Sequence, residues 1–355
     1  MNPFPALKLE GNTFYLDNSR MEAFTRCPRR GEYAIVRARV PSKASAALFL
    51  GEVFHLAMKF RYQFYPVNVP LPKECVYKQR LLVEQCYKGT SFDETEYRTC
   101  EYCKSLITAY AREYPSEQFS LLCNPADGQP LVERSFAVKL GTINEITFVW
   151  IGRIDLGIRL PDGRPFIHDF KTSARGGETF PLKFPISSQM QGYAFALTKV
   201  LGERVVGAQI SAAFTRKQTK TGKGIEFQRY RFLYDEDTLA GWQDNMLHIA
   251  SDFLHCYQRG FFPMHTEQCM TEYGTCPYNS ICQMSPSARL PMLASTAFQD
   301  DKWSPIHPER IDLQALYNTP LPSGWEDQME QQAPPPEVPE LDTTNMIDEI
   351  LKQAK

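Results

Sequence analysis

The chain contains no run of eighteen apolar residues, which excludes a membrane-spanning helix. Its opening, MNPFPALKLEGN, lacks the basic region and apolar core of a secretory leader. The expectation is a cytoplasmic protein with no membrane attachment. No internal repeat occurs, so a repeat architecture is not expected. Neither sign of charge dominates, with 39 Lys or Arg against 41 Asp or Glu. What is present is ordinary globular material: 355 residues, 43% hydrophobic and 23% charged, enough for one large domain or two medium ones. Ten cysteines without a leader read as reduced thiols, some of them metal ligands, rather than a disulfide framework.

Charge is unevenly spread. Residues 289–355 carry 5 basic against 12 acidic residues, a net of −7, and 9 of the 26 prolines. The remainder is mildly basic, which permits a polyanionic partner. The expected organisation is a folded domain over 1–288 and an acidic, proline-rich, disordered tail over 289–355. Within the tail, Ala333–Pro339 has linker composition. Thr343–Lys355 is either a short docking helix for a protein partner or a frayed end.

The body begins helical. Ser19-Arg20-Met21-Glu22 has capping-box spacing, and the helix it opens should stop before Pro28. Apolar periodicity predicts further helices over about 46–65, 72–88 and 93–114. After Pro130 the pattern changes to strands over 131–140, 145–160 and 165–172. A helix over 187–201, strands near 205–215 and 225–234, and a helix over 235–260 ending at glycine complete the body. The order predicts a mixed α/β fold with an inserted N-terminal helical lobe.

The chemistry concentrates in Trp150–Thr172. Asp169 and Lys171, two apart on a strand, share a face, while His168 and Phe170 point the other way. Leu160-Pro161-Asp162-Gly163 suits a three-residue hairpin loop, so residues whose numbers add to 324 should face each other. Asp155 and Asp169 meet that condition. Two opposed carboxylates about 5 Å apart at Cβ repel or share a proton unless a cation lies between them. Lys171 is one candidate neutraliser, and a hard divalent ion, Mg²⁺ or Mn²⁺, is the other. The alternative is a solvent-facing ion pair.

These residues resemble a known family. Gly152-Arg153-Ile154-Asp155 followed by Asp169-Phe170-Lys171-Thr172 is similar to the PD-(D/E)XK nuclease superfamily, in its RecB-like branch, with Ile154 where the superfamily's name has proline. Gly51-Glu-Val-Phe-His55 resembles the branch's G-x-x-x-H helix, and Gln189-Met-Gln-Gly-Tyr193 its Q-x-x-x-Y helix. The resemblance implies a restriction-endonuclease-like core, a mixed central sheet flanked by helices, hydrolysing phosphodiester bonds. Asp155, Asp169, the Phe170 carbonyl and His55 would hold Mg²⁺ or Mn²⁺, with Glu133 a further candidate. Lys171 would orient the nucleophile or stabilise the pentacovalent state. Gln189 and Tyr193, four apart on a helix, could hold a phosphate oxygen or orient a strand end.

Cys269, Cys276 and Cys282 lie within fourteen residues, with Gly and Pro between them, and form a soft-metal pattern short of one ligand. An iron–sulfur subgroup of the branch, including the AddB and CRISPR-adaptation nucleases, takes that ligand from an N-terminal Cys-Pro. Here Cys27-Pro28 matches, although Cys269 departs from the usual spacing. The resemblance therefore implies a 4Fe–4S cluster, with zinc or free thiols as the other readings. The implied substrate is DNA, single-stranded or with single-stranded ends, cut by an exonuclease in recombination or repair. The implied source is a bacterium or a phage-infected host. Arg26, Arg29, Arg30, Arg37, Arg39 and the loop Arg216–Lys223 are candidate phosphate contacts. A non-catalytic DNA-binding or recruitment module, its tail docking a helicase or recombinase, is the rival reading.

Overall fold

A computed structural model of the chain describes residues 12–42, 45–92, 95–217, 224–271, 274–301 and 311–330. Strand β1 (Thr13–Leu16) precedes α1 (Asn18–Arg26), α2 (Pro28–Gly31), a π-helical turn and β2 (Arg39–Pro41). Helices α3 (Ala46–Phe64), α4 (Lys73–Tyr87) and α5 (Cys100–Glu113) form the helical lobe. Then come β3 (Ser120–Leu121), β4 (Val132–Ile143), β5 (Ile146–Arg159), β6 (Pro165–Ser173), α6 (Ser188–Leu201), β7 (Gly207–Thr215), β8 (Ile225–Leu233) and α7 (Glu236–Arg259). Small elements follow: β9 (Met270–Thr271), β10 (Gly274–Thr275), α8 (Asn279–Cys282), α9 (Pro286–Leu293), β11 (Phe298–Asp300), α10 (Leu313–Asn318) and α11 (Trp325–Glu330). Among the described residues, no helix is long and apolar enough to cross a membrane.

Seven strands make a mixed sheet with β5 at its centre. On one side β4 runs antiparallel to β5. On the other, β1 is parallel to its first half and β6 antiparallel to its second. β6 pairs parallel to β7, and β7 antiparallel to β8. Helices α6 and α7 cover one face through Met190, Ala194, Trp242, Met246 and Phe253, packed on Phe148 and Trp150. Helices α3–α5 cover the other through Val53, Phe54, Leu82, Leu106 and Ile107, packed on Leu156 and Phe170. This is the mixed α/β, restriction-endonuclease-like arrangement expected, with its lobe inserted between β1 and the other strands of the sheet.

Several local expectations change. The cap of α1 is Asp17, not Ser19: the Asp17 carboxylate already accepts from the Arg20 amide, so the helix starts before the capping-box serine. The third lobe helix begins at Cys100 behind a Thr99 cap. The parallel strand β1 was not legible, because four residues carry no periodicity of their own. Folded structure also continues past 288. Strand β11 pairs with β2, and Leu313 and Leu316 are buried in the lobe's core. The described residues up to Asn318 form one compact unit, and those from Thr319 on, with α11, belong to a second. Residues 331–355, with the expected linker, docking helix and disordered tail end, lie outside the described residues.

Gly192 shows what one missing side chain allows. A Cβ there would lie 2.7 Å from Trp242 Cζ2 and 2.9 Å from Trp150 Nε1, so α6 seats directly on two indoles. Gly192→Ala should lower stability by about 1–3 kcal/mol from overpacking, outweighing the roughly 1 kcal/mol gained in helix propensity. A thermal melt that rises would refute this.

Candidate active site

The hairpin loop behaves as its sequence dictates. Gly163 takes φ +87°, its amide bonds the Leu160 carbonyl at 2.9 Å, and the Leu160 amide bonds Arg164 O at 3.0 Å. The β5–β6 ladder then runs from Arg159↔Pro165 to Leu156↔His168, the expected register. There it stops. In place of a further main-chain bond, the Phe170 amide donates to Asp155 Oδ2 at 2.7 Å. A carboxylate has entered the gap between diverging strands.

The other edge of β5 is equally irregular. β4 pairs Val132↔Leu156 and Arg134↔Ile154, with Glu133 opposite Asp155 between them. Glu133 has φ +48°, a left-handed conformation costing on the order of 1–3 kcal/mol for a residue with a Cβ. The apolar residues change sides at this level. Phe148, Trp150 and Ile154 join the core under α6 and α7, while Leu156 and Ile158 join the lobe's core. Same-parity residues of a regular strand stay on one face, so β5 turns over here. Its Asp155 is thereby flanked by a carboxylate from each neighbour.

Helix α3 completes the group. His55 Nδ1 lies 3.3 Å from Asp155 Oδ2 and 3.5 Å from Glu133 Oε1. Ligand atoms of His55, Glu133 and Asp155 all fall within 4.8 Å of one another. The approach depends on Gly51, one turn earlier, where a Cβ would meet Thr172 Oγ1 at 3.2 Å. Asp169, only 2% exposed, has its Oδ2 2.7 Å from Lys171 Nζ but engaged in no hydrogen bond.

Electrostatics follow this packing. Burial disfavours the imidazolium of His55, but Asp155 and Glu133 outweigh it and hold His55 well above its usual value. Burial, reinforced by Asp155 and opposed by Lys171, pushes Asp169 up to about 6. Such a cluster of buried oxygens suits a hard cation, and one imidazole is compatible with it. The donor set therefore fits a divalent metal.

The remaining candidates are placed as follows. On α6, Gln189 Nε2 donates to Tyr193 Oη at 3.1 Å. Burial, then the Gln189 bond, then the charges of Asp169, Asp155 and Glu133 act on the Tyr193 phenol, with a net rise in its pKa. Its ring lies against Gly152, where a Cβ would be 3.2 Å away. The Phe170 ring points to the opposite face, near Phe54 and Tyr62. Cys27, Cys269, Cys276 and Cys282 line one cavity of about 180 Å³ with Arg26 and Arg30. The other six cysteines do not line it. Three arginines expected at phosphates serve the fold instead. Arg29 bonds Phe262 O, Arg37 bonds Glu32, and Arg39 bonds the carbonyls of Leu293, Ser295 and Phe298. Residues 218–223 of the basic loop lie outside the described residues.

Sequence reasoning missed Arg153 as a partner of the site. Its Nε lies 2.9 Å from Glu133 Oε2, and alternation along β5 gives no signal for it, because the strand turns over between Ile154 and Leu156. It also missed a buried polar network across the sheet, described below.

A family model described as the PD-(D/E)XK nuclease superfamily matches residues 18–283. No curated protein matches the chain. Among solved structures, a candidate exonuclease from Eubacterium rectale is similar at 14% identity and TM-score 0.42, over 86% of this chain and 93% of that one. A protein named SSO0001 is similar at 14% identity and TM-score 0.30, over 70% of this chain and 78% of that one.

Proposed function

The chain belongs to the PD-(D/E)XK nuclease superfamily, and from that premise we propose that it is a Mg²⁺- or Mn²⁺-dependent deoxyribonuclease of the RecB-like branch. The observation that carries this is the convergence of His55, Glu133 and Asp155 within ligand distance of one another, beside Asp169 and Lys171. A divalent ion held there would supply Lewis-acid chemistry, polarising a phosphoryl oxygen and acidifying water. Asp155, Asp169, Glu133, His55 and the Phe170 carbonyl are the proposed ligands. Asp155 has one oxygen fixed by the Phe170 amide, so its carboxylate cannot swing away. Lys171 keeps an ammonium at the site to orient the attacking water or meet developing negative charge. Gln189 and Tyr193 stiffen each other on α6 and offer polar atoms to a DNA strand.

The proposed substrate is DNA with single-stranded ends, cut as an exonuclease in recombination or repair. A binding or recruitment module needs no such set of buried carboxylates, which weighs against that reading. Labelled single- and double-stranded DNA should be cleaved with Mg²⁺ and left whole when EDTA is added. Cleavage that survives EDTA sinks the metal-dependent reading.

The cysteine cavity is the proposed 4Fe–4S site. Sulfurs bound to one zinc at about 2.3 Å must lie within about 4.6 Å of each other. Among the described residues no three thiols meet a 4.8 Å limit, although four line this cavity. The Cys27 sulfur also accepts from the His265 amide at 3.4 Å, tying the N-terminal helices to the segment after α7. Anaerobically purified protein should be brown with about four irons per chain. A colourless, iron-free protein removes the cluster and leaves the nuclease reading standing.

A further inference from the structure

Each carboxylate in the metal-site candidate has one oxygen already engaged by a donor or a cation. Asp155 Oδ2 accepts the Phe170 amide at 2.7 Å, and Asp169 Oδ2 lies 2.7 Å from the Lys171 ammonium. Glu133 completes the pattern. Its Oε2 lies 2.9 Å from Arg153 Nε, while Oε1 faces His55 Nδ1 at 3.5 Å. The Glu133 side chain is 7% exposed and its backbone is held at φ +48°, so the carboxylate has little freedom to turn. Arg153 is 43% exposed and stands two residues before Asp155 on β5. A guanidinium is a rigid, permanently charged fork, well suited to immobilising one edge of a carboxylate.

We infer that Arg153 is a positioning residue that confines Glu133 to a single free oxygen and so biases the site toward a small six-coordinate cation. This rests on the metal-dependent reading above and goes beyond it in assigning ion selectivity to a residue outside the ligand set. The chemistry is direct. Ca²⁺ takes six to eight oxygens and commonly binds carboxylates through both, whereas Mg²⁺ requires a compact octahedron and uses one or two carboxylates with waters. With Arg153 in place, Glu133 presents Oε1 alone. With Arg153 removed, both oxygens of Glu133 become available and the site loosens toward the larger ion.

The test is calorimetric titration of the full-length protein with MgCl₂ and with CaCl₂, which reads binding without reference to cleavage. R153M should lower the ratio of Mg²⁺ to Ca²⁺ affinity by about tenfold or more, in the range expected when a residue that orients a metal ligand is lost. R153K, whose ammonium can still reach a carboxylate oxygen, should keep most of the preference. A circular dichroism melt confirms that each variant is folded, and R153Q replaces R153M if the latter is not. A ratio in R153M within about twofold of the wild type's, or an R153K shift as large as that of R153M, overturns the inference. A wild-type protein that binds neither ion strikes down the metal-site reading itself, and the inference falls with it.

Discussion

Asp169→Asn should lose about a thousandfold or more of DNA cleavage while melting at or above the wild-type temperature in metal-free buffer. The catalytic loss would follow from removing a proposed ligand of the divalent cation, an effect of several kcal/mol at about 1.4 kcal/mol per tenfold in rate. Stability should move the other way. Asp169 is buried, and the combination of burial and the Asp155 charge, against Lys171, sets its folded value at about 6, above the roughly 3.9 of an exposed aspartate. A carboxyl whose folded value is raised costs stability when ionised at neutral pH. That cost is relieved as the pH falls from about 6 toward 4. An amide removes the charge, and with it the repulsion from Asp155. Cleavage by Asp169→Asn at the wild-type rate would remove Asp169 from the chemistry. A melting temperature many degrees lower would show that the residue holds the fold instead.

The second large effect concerns stability. Glu117→Ala should cost about 3–5 kcal/mol, a drop on the order of 10 °C in melting temperature. Glu117 is buried between the helical lobe and the sheet. Arg229 of β8 grips both its oxygens at 2.6 and 2.8 Å, and the Tyr62 hydroxyl donates to it at 2.6 Å. Arg229 also reaches the Tyr110 hydroxyl at 3.0 Å and Ser211 Oγ at 2.9 Å, and Ser211 contacts His168 at 2.9 Å. The network thus leans on β6 from the face opposite Asp169. Truncating Glu117 leaves the Arg229 guanidinium in the interior without its partner carboxylate, the costly half of a broken buried pair. Replacing both, as Glu117→Leu with Arg229→Met, should restore part of the loss, because the Arg229 charge goes with its partner, while buried Arg61, 3.8 Å from Glu117 Oε1, keeps only its bond to Tyr114 O. Equal destabilisation in the single and double variants would contradict this account.

Both effects centre on β6, and the two faces of that strand differ in how far the sequence exposes them. Alternation alone places Asp169 and Lys171 on one side and His168 and Phe170 on the other. It does not say what His168 meets, because Ser211, Gln209 and Arg229 come from strands far along the chain. Arg29, Arg37 and Arg39 teach the same lesson in reverse. As a cluster in sequence they look like a phosphate-binding surface, yet Arg39 is occupied by carbonyls about 250 residues away.

What the sequence determined by itself is everything set by spacings of two to four residues. The Pro161-Asp162-Gly163 bend settles which residues of β5 and β6 oppose one another, and helical spacing puts Gly51 with His55 and Gln189 with Tyr193. Local backbone geometry has few solutions at that range. The tertiary structure decided which residue of β4 faces Asp155. The two-residue turn at Asn144 and Glu145, both with positive φ, starts a register that would bring Arg134 opposite Asp155. A bulge between Lys139 and Gly141 shifts it by one and brings Glu133 instead. That bulge is held from outside the sheet, where Gln243 of α7 bonds Leu140 O at 2.6 Å. A one-residue slip exchanges a base for an acid beside the metal-site candidate, and it depends on a helix a hundred residues further along.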